Sequence, residues 1–278
     1  MTTVSPSATS SPTATSIFQT LPVMCASMSA MAGDNSPTMG PESSAGGEGL
    51  AAIVAARNEA DRVEETVRAL QRSFPHARVW VADDASADGT AEVALAAGAE
   101  VVSRGRPHGK GANVSAAAEA ALSVASPPLI VLLCDGDLGT SAERLAPLVA
   151  AVEAGECDIA IAAFSRRVGG GFGLALGFAR WAIRRLCGAE TAAPISGQRA
   201  MRVEVLRAAL PFAPAYGMEI GMTVDAVRAG YRLREYELDL EHRATGKSLA
   251  GFLHRARQLR DFARVYWSRR RRAQGAAR

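Results

Sequence analysis

The chain has 278 residues, a formal net charge of +3 and 48% hydrophobic residues, which is enough to bury a sizeable core in one large or two small domains. No window reaches the roughly eighteen consecutive apolar residues that a membrane span requires, so the sequence predicts a soluble or peripheral protein. The 4 cysteines are scattered, without metal-ligand or disulfide spacing, and favour a reducing cytoplasm.

Residues 1–48 differ from the rest of the chain. They contain no Lys or Arg and are rich in Ser, Thr, Pro, Ala and Gly, a composition that predicts disorder. They resemble neither a secretory signal nor an organelle transit peptide. We therefore predict a disordered low-complexity segment over 1–48, an α/β domain over 49–249, and a basic amphipathic helix and tail over 250–278.

From residue 50 onward, apolar strands alternate with helical segments, which predicts a mostly parallel sheet flanked by helices. The predicted strands cover 51–56, 78–82, 100–102, 129–134, 158–164, 197–202 and 231–240. Helices are predicted behind the first strand, after a cap at Thr90, over 113–124, from about Pro147, and over 174–186 and 219–229. A final basic helix carries its apolar face on Phe252, Ala256, Leu259, Ala263 and Tyr266.

The apolar strand at 129–134 ends in Asp135-Gly136-Asp137. An unbroken apolar run is typical of a strand covered on both faces, and ligands gather at the carboxyl ends of such strands. Two carboxylates there suit a divalent cation, and Gly136 removes a side chain that would block a close metal or phosphate. The alternative is a polar turn without a ligand.

Three other loops carry chemistry that complements these carboxylates. Arg57 and Glu59 offer donors and acceptors for a base and a ribose, and Asp83 or Asp84 can accept from a pyrimidine imide or a ribose hydroxyl. Lys110, between two glycines before a helix, adds a cation where anions bind. A nucleoside diphosphate would use all of these groups.

Four motifs together resemble the family 2 type glycosyltransferases of the GT-A fold. They are Ala-Arg-Asn-Glu at 56–59, Asp-Asp-x-Ser-x-Asp-Gly-Thr at 83–90, Gly-Lys-Gly at 109–111 and Asp-x-Asp at 135–137. The resemblance covers about 50–249 and implies a Rossmann-like, mostly parallel central sheet and metal-dependent sugar transfer from a nucleotide-diphosphate donor, a UDP-sugar. The donor-binding residues that we predict are Ala55, Arg57, Glu59, Asp83, Asp84, Lys110, Asp135 and Gly136.

The C-terminal half resembles the glucosyl-3-phosphoglycerate synthases, through Gly169-Gly170-Gly171, Pro194-Ile195-Ser196-Gly197-Gln198, Tyr216-Gly217-Met218-Glu219 and His242-Arg243. This resemblance implies a site for Mg²⁺ or Mn²⁺, catalytic groups and acceptor-binding groups. The implied residues are Asp135, Asp137 and His242 for the metal, Glu219 and Asp137 for catalysis, and Gln198, Tyr216 and Arg243 for the acceptor.

The acceptor is left open between a small phosphorylated molecule and a polyprenyl phosphate of the cell envelope. Phe172 and Leu174 stand where the resemblance calls for polar groups, and an apolar site would leave a small dianion unpaired. The basic C-terminal helix allows peripheral contact with an anionic membrane on the inner face. No motif accompanies its charge that would predict nucleic-acid binding, and an oligomer remains open.

Other functional classes fit less well. A nucleotidyltransferase needs a Gly-rich loop after the first strand, and a dinucleotide oxidoreductase needs Gly-x-Gly-x-x-Gly there, whereas this chain has Ala55-Ala56-Arg57-Asn58-Glu59. A non-catalytic protein that binds a nucleotide sugar or a membrane surface remains the alternative, because the Glu-Asp pair of many inverting family 2 enzymes is replaced by Glu219-Ile220.

Overall fold

The computed structural model describes residues 49–164, 173–240 and 249–275, with side chains in the last range described over 257–271. Residues Ala45–Arg278 cluster as one compact unit. The predicted disorder over 1–48 lies outside the described residues.

In the described part of the chain, the sheet has seven strands in the order β3-β2-β1-β4-β6-β5-β7. The strands are β1 Leu50–Ala56, β2 Arg78–Asp83, β3 Glu100–Ser103, β4 Ile130–Asp135, β5 Ile159–Phe164, β6 Arg199–Arg202 and β7 Leu233–Leu238. The helices are α1 Val63–Ser73, α2 Thr90–Ala96, α3 Lys110–Leu122, α4 Ala146–Glu153, α5 Gly173–Cys187, α6 Val203–Ala209, α7 Met218–Arg228 and α8 Leu249–Gly275. None of these described helices is long and apolar enough to cross a membrane.

The predicted mostly parallel sheet is confirmed, with one exception. Strands β3, β2, β1 and β4 run parallel, as do β5 and β7, whereas β6 runs antiparallel to both β4 and β5. The strand order reverses around β1, which lies between β2 and β4. In open α/β sheets, ligands bind outside the carboxyl ends of the strands at such a reversal. Ala56 pairs with Asp83 of β2, and Ala55 pairs with Asp135 of β4. Asp83 and Asp135 therefore lie at the same edge of the sheet, on either side of the end of β1.

The two faces of the sheet bury separate apolar clusters. One face packs against α1, α2 and α4 through residues such as Val67, Leu70 and Leu148. The other packs against α3, α6 and α7, where Ile53 and Leu133 are buried. Because side chains alternate along a strand, Asp135 lies on the same face as Leu133 and therefore points toward α3 and α7.

Some predicted elements differ from those observed. The sequence analysis did not predict α6, which follows β6 without an intervening loop. Thr90 is the first residue of α2, not its cap, because Gly89 in a left-handed conformation precedes it. Strand β7 is shorter than predicted by two residues at each end, because residues 231–232 and 239–240 do not continue the strand.

The last helix buries a face that was only partly predicted. Of the five residues assigned to its apolar face, Phe252 and Ala256 lie outside the described side chains, Leu259 and Ala263 are half-buried, and Tyr266 is buried. The buried side chains recur at helical spacing and include polar ones. They are Gln258, Asp261, Phe262, Val265, Tyr266 and Arg269.

A buried ion pair is the reason why the buried face of α8 includes arginine. Arg269 donates to Asp225 of α7, with Nη2 2.6 Å from Oδ2. Phe262 and Val265 pack with α5 and α7 in a third apolar cluster. Arg269, the first of the four consecutive arginines at 269–272, therefore anchors α8 to the rest of the domain.

Gly111 sets how closely α3 approaches the loop before α7. A Cβ at this position would lie 2.0 Å from the backbone oxygen of Ala213, an overlap that only a backbone shift can relieve. Since Gly111 follows Lys110 directly, this approach also positions the lysine at the carboxyl edge of the sheet.

We expect Gly111→Ala to lower the free energy of unfolding by about 1–3 kcal/mol, the usual cost of overpacking. The control is Gly177→Ala, an exposed mid-helix position with nothing within 4 Å of the added methyl group. It should raise stability by about 0.5–1 kcal/mol, because alanine favours helix over glycine. Urea unfolding of both variants checks this, and equal stability of the two would contradict the described packing.

Candidate functional site

Four side chains meet at the carboxyl end of β4. Lys110 Nζ lies 2.6 Å from Asp135 Oδ1 and 2.9 Å from Glu219 Oε1. Gln198 Nε2 donates to the other oxygen of Asp135 at 2.8 Å. We call Lys110, Asp135, Gln198 and Glu219 the Lys110 cluster. It brings together predicted donor-binding, catalytic, metal and acceptor residues.

The fold explains why these residues meet. Asp135 ends β4 on the face covered by α3 and α7. Lys110 is the first residue of α3 and Glu219 the second of α7, so both helices begin at this edge. Glu219 is buried, whereas the side chain of Asp135 is 34% exposed. The Glu219 carboxylate is thus enclosed, whereas the Asp135 carboxylate is partly exposed at the carboxyl ends of the strands, a region that we call the cleft.

Lys110 remains a cation in this setting. Burial alone would lower its pKa, but Asp135 and Glu219 together hold the pKa above the ordinary lysine value. The ammonium group therefore carries its charge at every physiological pH and offers N–H donors beside a partly open carboxylate.

Gly197 makes the cluster possible, and the sequence analysis did not single it out as a site residue. A Cβ there would lie 2.6 Å from Lys110 Nζ and 2.9 Å from Asp135 Oδ2. Both atoms are ends of flexible side chains, so a methyl group would displace the ion pair before it displaced the backbone. The glycine lies in the predicted 194–198 motif, which was the available signal.

A second missed residue supports the loop that carries Gln198. Arg199 is fully buried and donates to Ser196 O at 2.8 Å, Thr223 Oγ1 at 2.9 Å and Pro194 O at 3.4 Å. Burial lowers its pKa to about 10, and the negative charges of Glu219 and Glu235 oppose that shift. Arg199 thus ties the loop to α7 beneath the site. An arginine inside a short strand gives no sequence signal for such a role.

Asp84 joins β2 to the start of α3. Its carboxylate accepts from the backbone N–H groups of His108 and Gly109, at 2.7 and 3.1 Å, and from the side chain of Asn113. Arg57 Nη1 lies 3.5 Å from it, and that arginine side chain is 55% exposed. Asp84 therefore holds the loop before Lys110, and Arg57 extends from it toward solvent.

Asp83, the other acidic residue predicted to accept from the donor, already has partners within the protein. It accepts from Ser103 Oγ at 2.8 Å and from the Ser86 N–H at 3.3 Å. These bonds fasten β2 to β3 and shape the loop at 83–90.

The loop that contains Arg57 and Glu59 is fastened to the 83–90 loop. Glu59 N donates to Thr90 Oγ1 at 2.9 Å, and Ala60 N donates to Asp88 Oδ2 at 3.1 Å. Asn58 adopts a positive φ of 55°. The two loops therefore form one rigid rim of the cleft.

Gly136 lies close to strand β1. Its N–H donates to Ala55 O at 2.9 Å, and an added Cβ would lie 3.2 Å from Ala56 Cβ. A side chain at this position would therefore crowd strand β1. Ala55 contributes this backbone carbonyl and pairs with Asp135.

Asp135 and Asp137 supply the carboxylate oxygens that a hard divalent cation prefers. Within the described residues, no group of three or more His, Cys, Asp or Glu side chains is arranged to hold a metal. The third predicted ligand, His242, and the predicted acceptor residue Arg243 lie outside the described residues. The neighbouring Cys134 stays a neutral thiol, because burial raises its pKa. The two carboxylates fit a divalent cation whose remaining coordination positions are filled by water and by phosphate oxygens of the ligand.

Tyr216 connects the site to α8. It is half-buried in the turn before α7, and burial together with Asp261 of α8 raises its pKa, while Arg57 and Lys110 are near enough to oppose the shift. Of the predicted acceptor residues, Gln198 contacts Asp135, whereas Tyr216 lies within electrostatic reach of both Lys110 and Asp261.

Comparison with known proteins identifies the family. Residues 51–208 match the model of glycosyl transferase family 2, which spans more than half of the chain. The chain therefore belongs to glycosyl transferase family 2 and is a glycosyltransferase, as the motifs predicted. No curated protein sequence gives a significant match.

Several solved structures of glucosyl-3-phosphoglycerate synthase are similar to this chain in sequence and fold. The glucosyl-3-phosphoglycerate synthase from Mycobacterium tuberculosis in complex with phosphoglyceric acid is 27% identical, with a TM-score of 0.65 and coverage of 79% of each chain. The same synthase with Mn²⁺, UDP-glucose and glycerol 3-phosphate is 26% identical, with a TM-score of 0.63 over 79% of each chain. Its complex with Mg²⁺ and UDP is 26% identical, with a TM-score of 0.63 over 79% of this chain and 78% of that one. The predicted GT-A fold is confirmed.

We expect Lys110→Met to destabilise the protein, because it leaves two neighbouring carboxylates without their shared cation. The loss should be about 1–3 kcal/mol, below the 3–5 kcal/mol typical of a fully buried pair, since Asp135 is partly exposed. Adding Glu219→Gln to Lys110→Met should restore most of the loss. Urea unfolding measures both variants, and a double variant no more stable than Lys110→Met would show that the charges are not coupled.

Proposed function

We propose that this chain is a metal-dependent glycosyltransferase that moves a sugar from a UDP-sugar to a phosphorylated acceptor. The observation that carries the proposal is the Lys110 cluster, which places a permanent cation beside a partly open carboxylate at the strand-order reversal of the sheet. The solved structures that resemble it bind UDP-glucose or UDP with Mn²⁺ or Mg²⁺.

The donor would lie across the carboxyl ends of β2, β1 and β4. In this arrangement the rim formed by Arg57, Glu59 and the 83–90 loop binds the nucleoside, with Arg57 reaching from Asp84. Asp83 and Asp84 support this rim through their contacts within the protein. Lys110 then lies near the diphosphate, where an N–H donor and a positive charge are stabilising.

Asp135 and Asp137 would hold Mg²⁺ or Mn²⁺, together with His242. When bound, the cation offsets the negative charge that develops on the departing diphosphate. Gln198 and Lys110 fix both oxygens of Asp135, so this carboxylate keeps one orientation. A pre-oriented charged group stabilises the transition state without reorganising during the reaction.

Glu219 supports the reaction by holding Lys110. Its carboxylate is buried and contacts Lys110 Nζ, which makes positioning of the cation the role that its contacts favour. If configuration is retained, the departing diphosphate can take the acceptor proton, and no protein base is required. Of the two residues predicted to act in catalysis, we therefore propose that Glu219 positions Lys110 and that Asp137 acts through the cation.

A phosphate group on the acceptor fits the charge at the mouth of the cleft. Arg57 is more than half exposed, and both Arg57 and Lys110 lie close enough to Tyr216 to oppose the rise in its pKa. Gln198 is buried and its amide is bonded to Asp135 and Ser196, so it would support the acceptor site through Asp135. The two acceptor classes are a small phosphorylated molecule, such as phosphoglycerate, and a lipid phosphate. Both acceptor classes share the phosphate, and direct comparison of them decides between the two.

The second candidate is a nucleotide-sugar-binding protein without turnover. The observation that favours it is the engagement of Glu219 by Lys110, which leaves no described carboxylate assigned as an inverting base. Binding of a UDP-sugar without release of UDP in the presence of any acceptor would support this candidate.

The test is UDP release from UDP-sugars with Mn²⁺ or Mg²⁺, with 3-phosphoglycerate and polyprenyl phosphate as paired acceptors. We expect metal-stimulated turnover with one acceptor, and a loss of about 100-fold or more in Asp137→Ala, because a lost cation costs several kcal/mol of charge stabilisation.

Glu153→Ala, which removes an exposed carboxylate at the end of α4, is the matched control and should keep full activity. Activity in Asp137→Ala equal to that of the control would overturn the metal site. Binding without turnover in the unaltered protein would overturn the enzymatic assignment.

A further inference from the structure

Helices α5 and α8 together present a basic and aromatic surface that the glycosyltransferase site does not use. Trp181 and Trp267 are 49% and 52% exposed, and both rings contact Tyr266, at centroid distances of 4.9 and 5.4 Å. The Arg270 guanidinium lies 5.2 Å from the Trp267 ring. The aromatic groups of the two helices are therefore continuous across the α5–α8 contact.

The charge around these rings is mostly positive, although the exposed Glu190, just after α5, lies 3.6 Å from Arg184. The exposed arginines of the two helices are Arg180, Arg184, Arg185, Arg257, Arg260, Arg264 and Arg271. Among the described side chains of α5 and α8, Asp261 is the single acidic group, and it is buried. We call the exposed faces of α5 and α8 the arginine–tryptophan surface.

The surface also exposes aliphatic area. Leu174 is 84% exposed and lies on the same stripe of α5 as Phe178 and Trp181, at helical spacing of four and three residues. A large exposed apolar group next to tryptophan and arginine is an unusual combination for a surface that faces only water. Tryptophan and arginine are, however, the side chains that favour the boundary between water and an anionic bilayer.

We propose that the arginine–tryptophan surface docks the protein on an anionic lipid bilayer. Arginines bind the lipid phosphates, while Trp181, Trp267 and Leu174 enter the interfacial layer. A second copy of the chain fits poorly, because it would place two surfaces of the same positive charge against each other. A nucleic acid would match the charge but would leave Leu174 exposed to water.

This surface differs from that of a free amphipathic helix on a membrane. The apolar side chains of α8, such as Phe262 and Val265, are buried against α5 and α7 and are not available to lipid. The folded domain instead holds the arginines and tryptophans in fixed positions. Binding should therefore require the native structure and be reversible and sensitive to salt, because surface charges are screened.

The test uses the full chain and sedimentation with vesicles of phosphatidylcholine, with or without an equal part of phosphatidylglycerol. We expect binding to the anionic vesicles only, weakened by added salt. The variant Arg185→Gln/Arg264→Gln/Arg271→Gln should bind about 100-fold more weakly, because each arginine near the surface contributes roughly a factor of five. Arg260 remains as a partner of Asp261 in this variant.

The matched control is Arg68→Gln/Arg72→Gln/Arg207→Gln, which removes the same charge from exposed positions on α1 and α6. It should bind like the unaltered protein. If both triple variants bind anionic vesicles equally weakly, net charge and not the position of the arginines determines binding, and the proposal is overturned. Equal binding to both kinds of vesicle, or none, would overturn it as well.

Tryptophan fluorescence gives an independent readout. The chain has 3 tryptophans, of which Trp80 is buried, so a blue shift on anionic vesicles reports Trp181 and Trp267. Trp181→Phe/Trp267→Phe should lose the shift. A shift that persists in this double variant would contradict insertion of these rings.

Two other occupants would give distinct results. A dimer that depends on Trp267, without vesicle binding, would assign the surface to a second copy, and binding to RNA or DNA alone would assign it to nucleic acid. Either result overturns the proposal.

None of the substituted residues lies in the Lys110 cluster, so UDP binding should be unchanged in every variant. Vesicle binding can therefore fail without any change in donor binding.

Discussion

One cation between two carboxylates links the elements from which the site is built. Lys110 begins α3, Asp135 ends β4 and Glu219 lies in the first turn of α7, so the ion pairs connect three parts of the chain that are far apart in sequence. Gln198 adds the loop before β6. Because Asp135 and Glu219 share one cation, a change at any member alters the electrostatics of the other two.

The surrounding structure serves to keep this arrangement in place. Gly197 and Gly111 permit the close approach of the loop before β6 and of α3, and Arg199 holds that loop from beneath. Asp84 fixes the turn that leads to Lys110. The contacts of these four residues are with the protein itself, and their contribution to function is to determine where Lys110 and Asp135 lie.

The elements and most of the site chemistry could be predicted because they leave local signals. Apolar runs mark the strands, and polar residues directly after β1, β2 and β4 mark the edge where ligands bind. By contrast, the roles of Gly197 and Arg199 could not be assigned from local sequence, because they depend on Lys110, Asp135 and Thr223, each more than twenty positions away. The packing of Gly136 against Ala56 on an adjacent strand was not predicted for the same reason. The buried face of α8 was only partly predicted, because the prediction counted apolar residues alone. Arg269 is polar and is buried through its ion pair with Asp225.

The central claim is that the geometry of the Lys110 cluster binds the donor diphosphate. Gly197→Ala tests it most directly, since the added methyl group displaces Lys110 and Asp135 without changing any charge. The measurement is UDP affinity with Mn²⁺ by isothermal titration calorimetry, with Gly177→Ala as control. The account predicts a loss of about 10- to 100-fold, equivalent to one hydrogen bond to a charged group. Unaltered UDP affinity in a folded Gly197→Ala protein would contradict it.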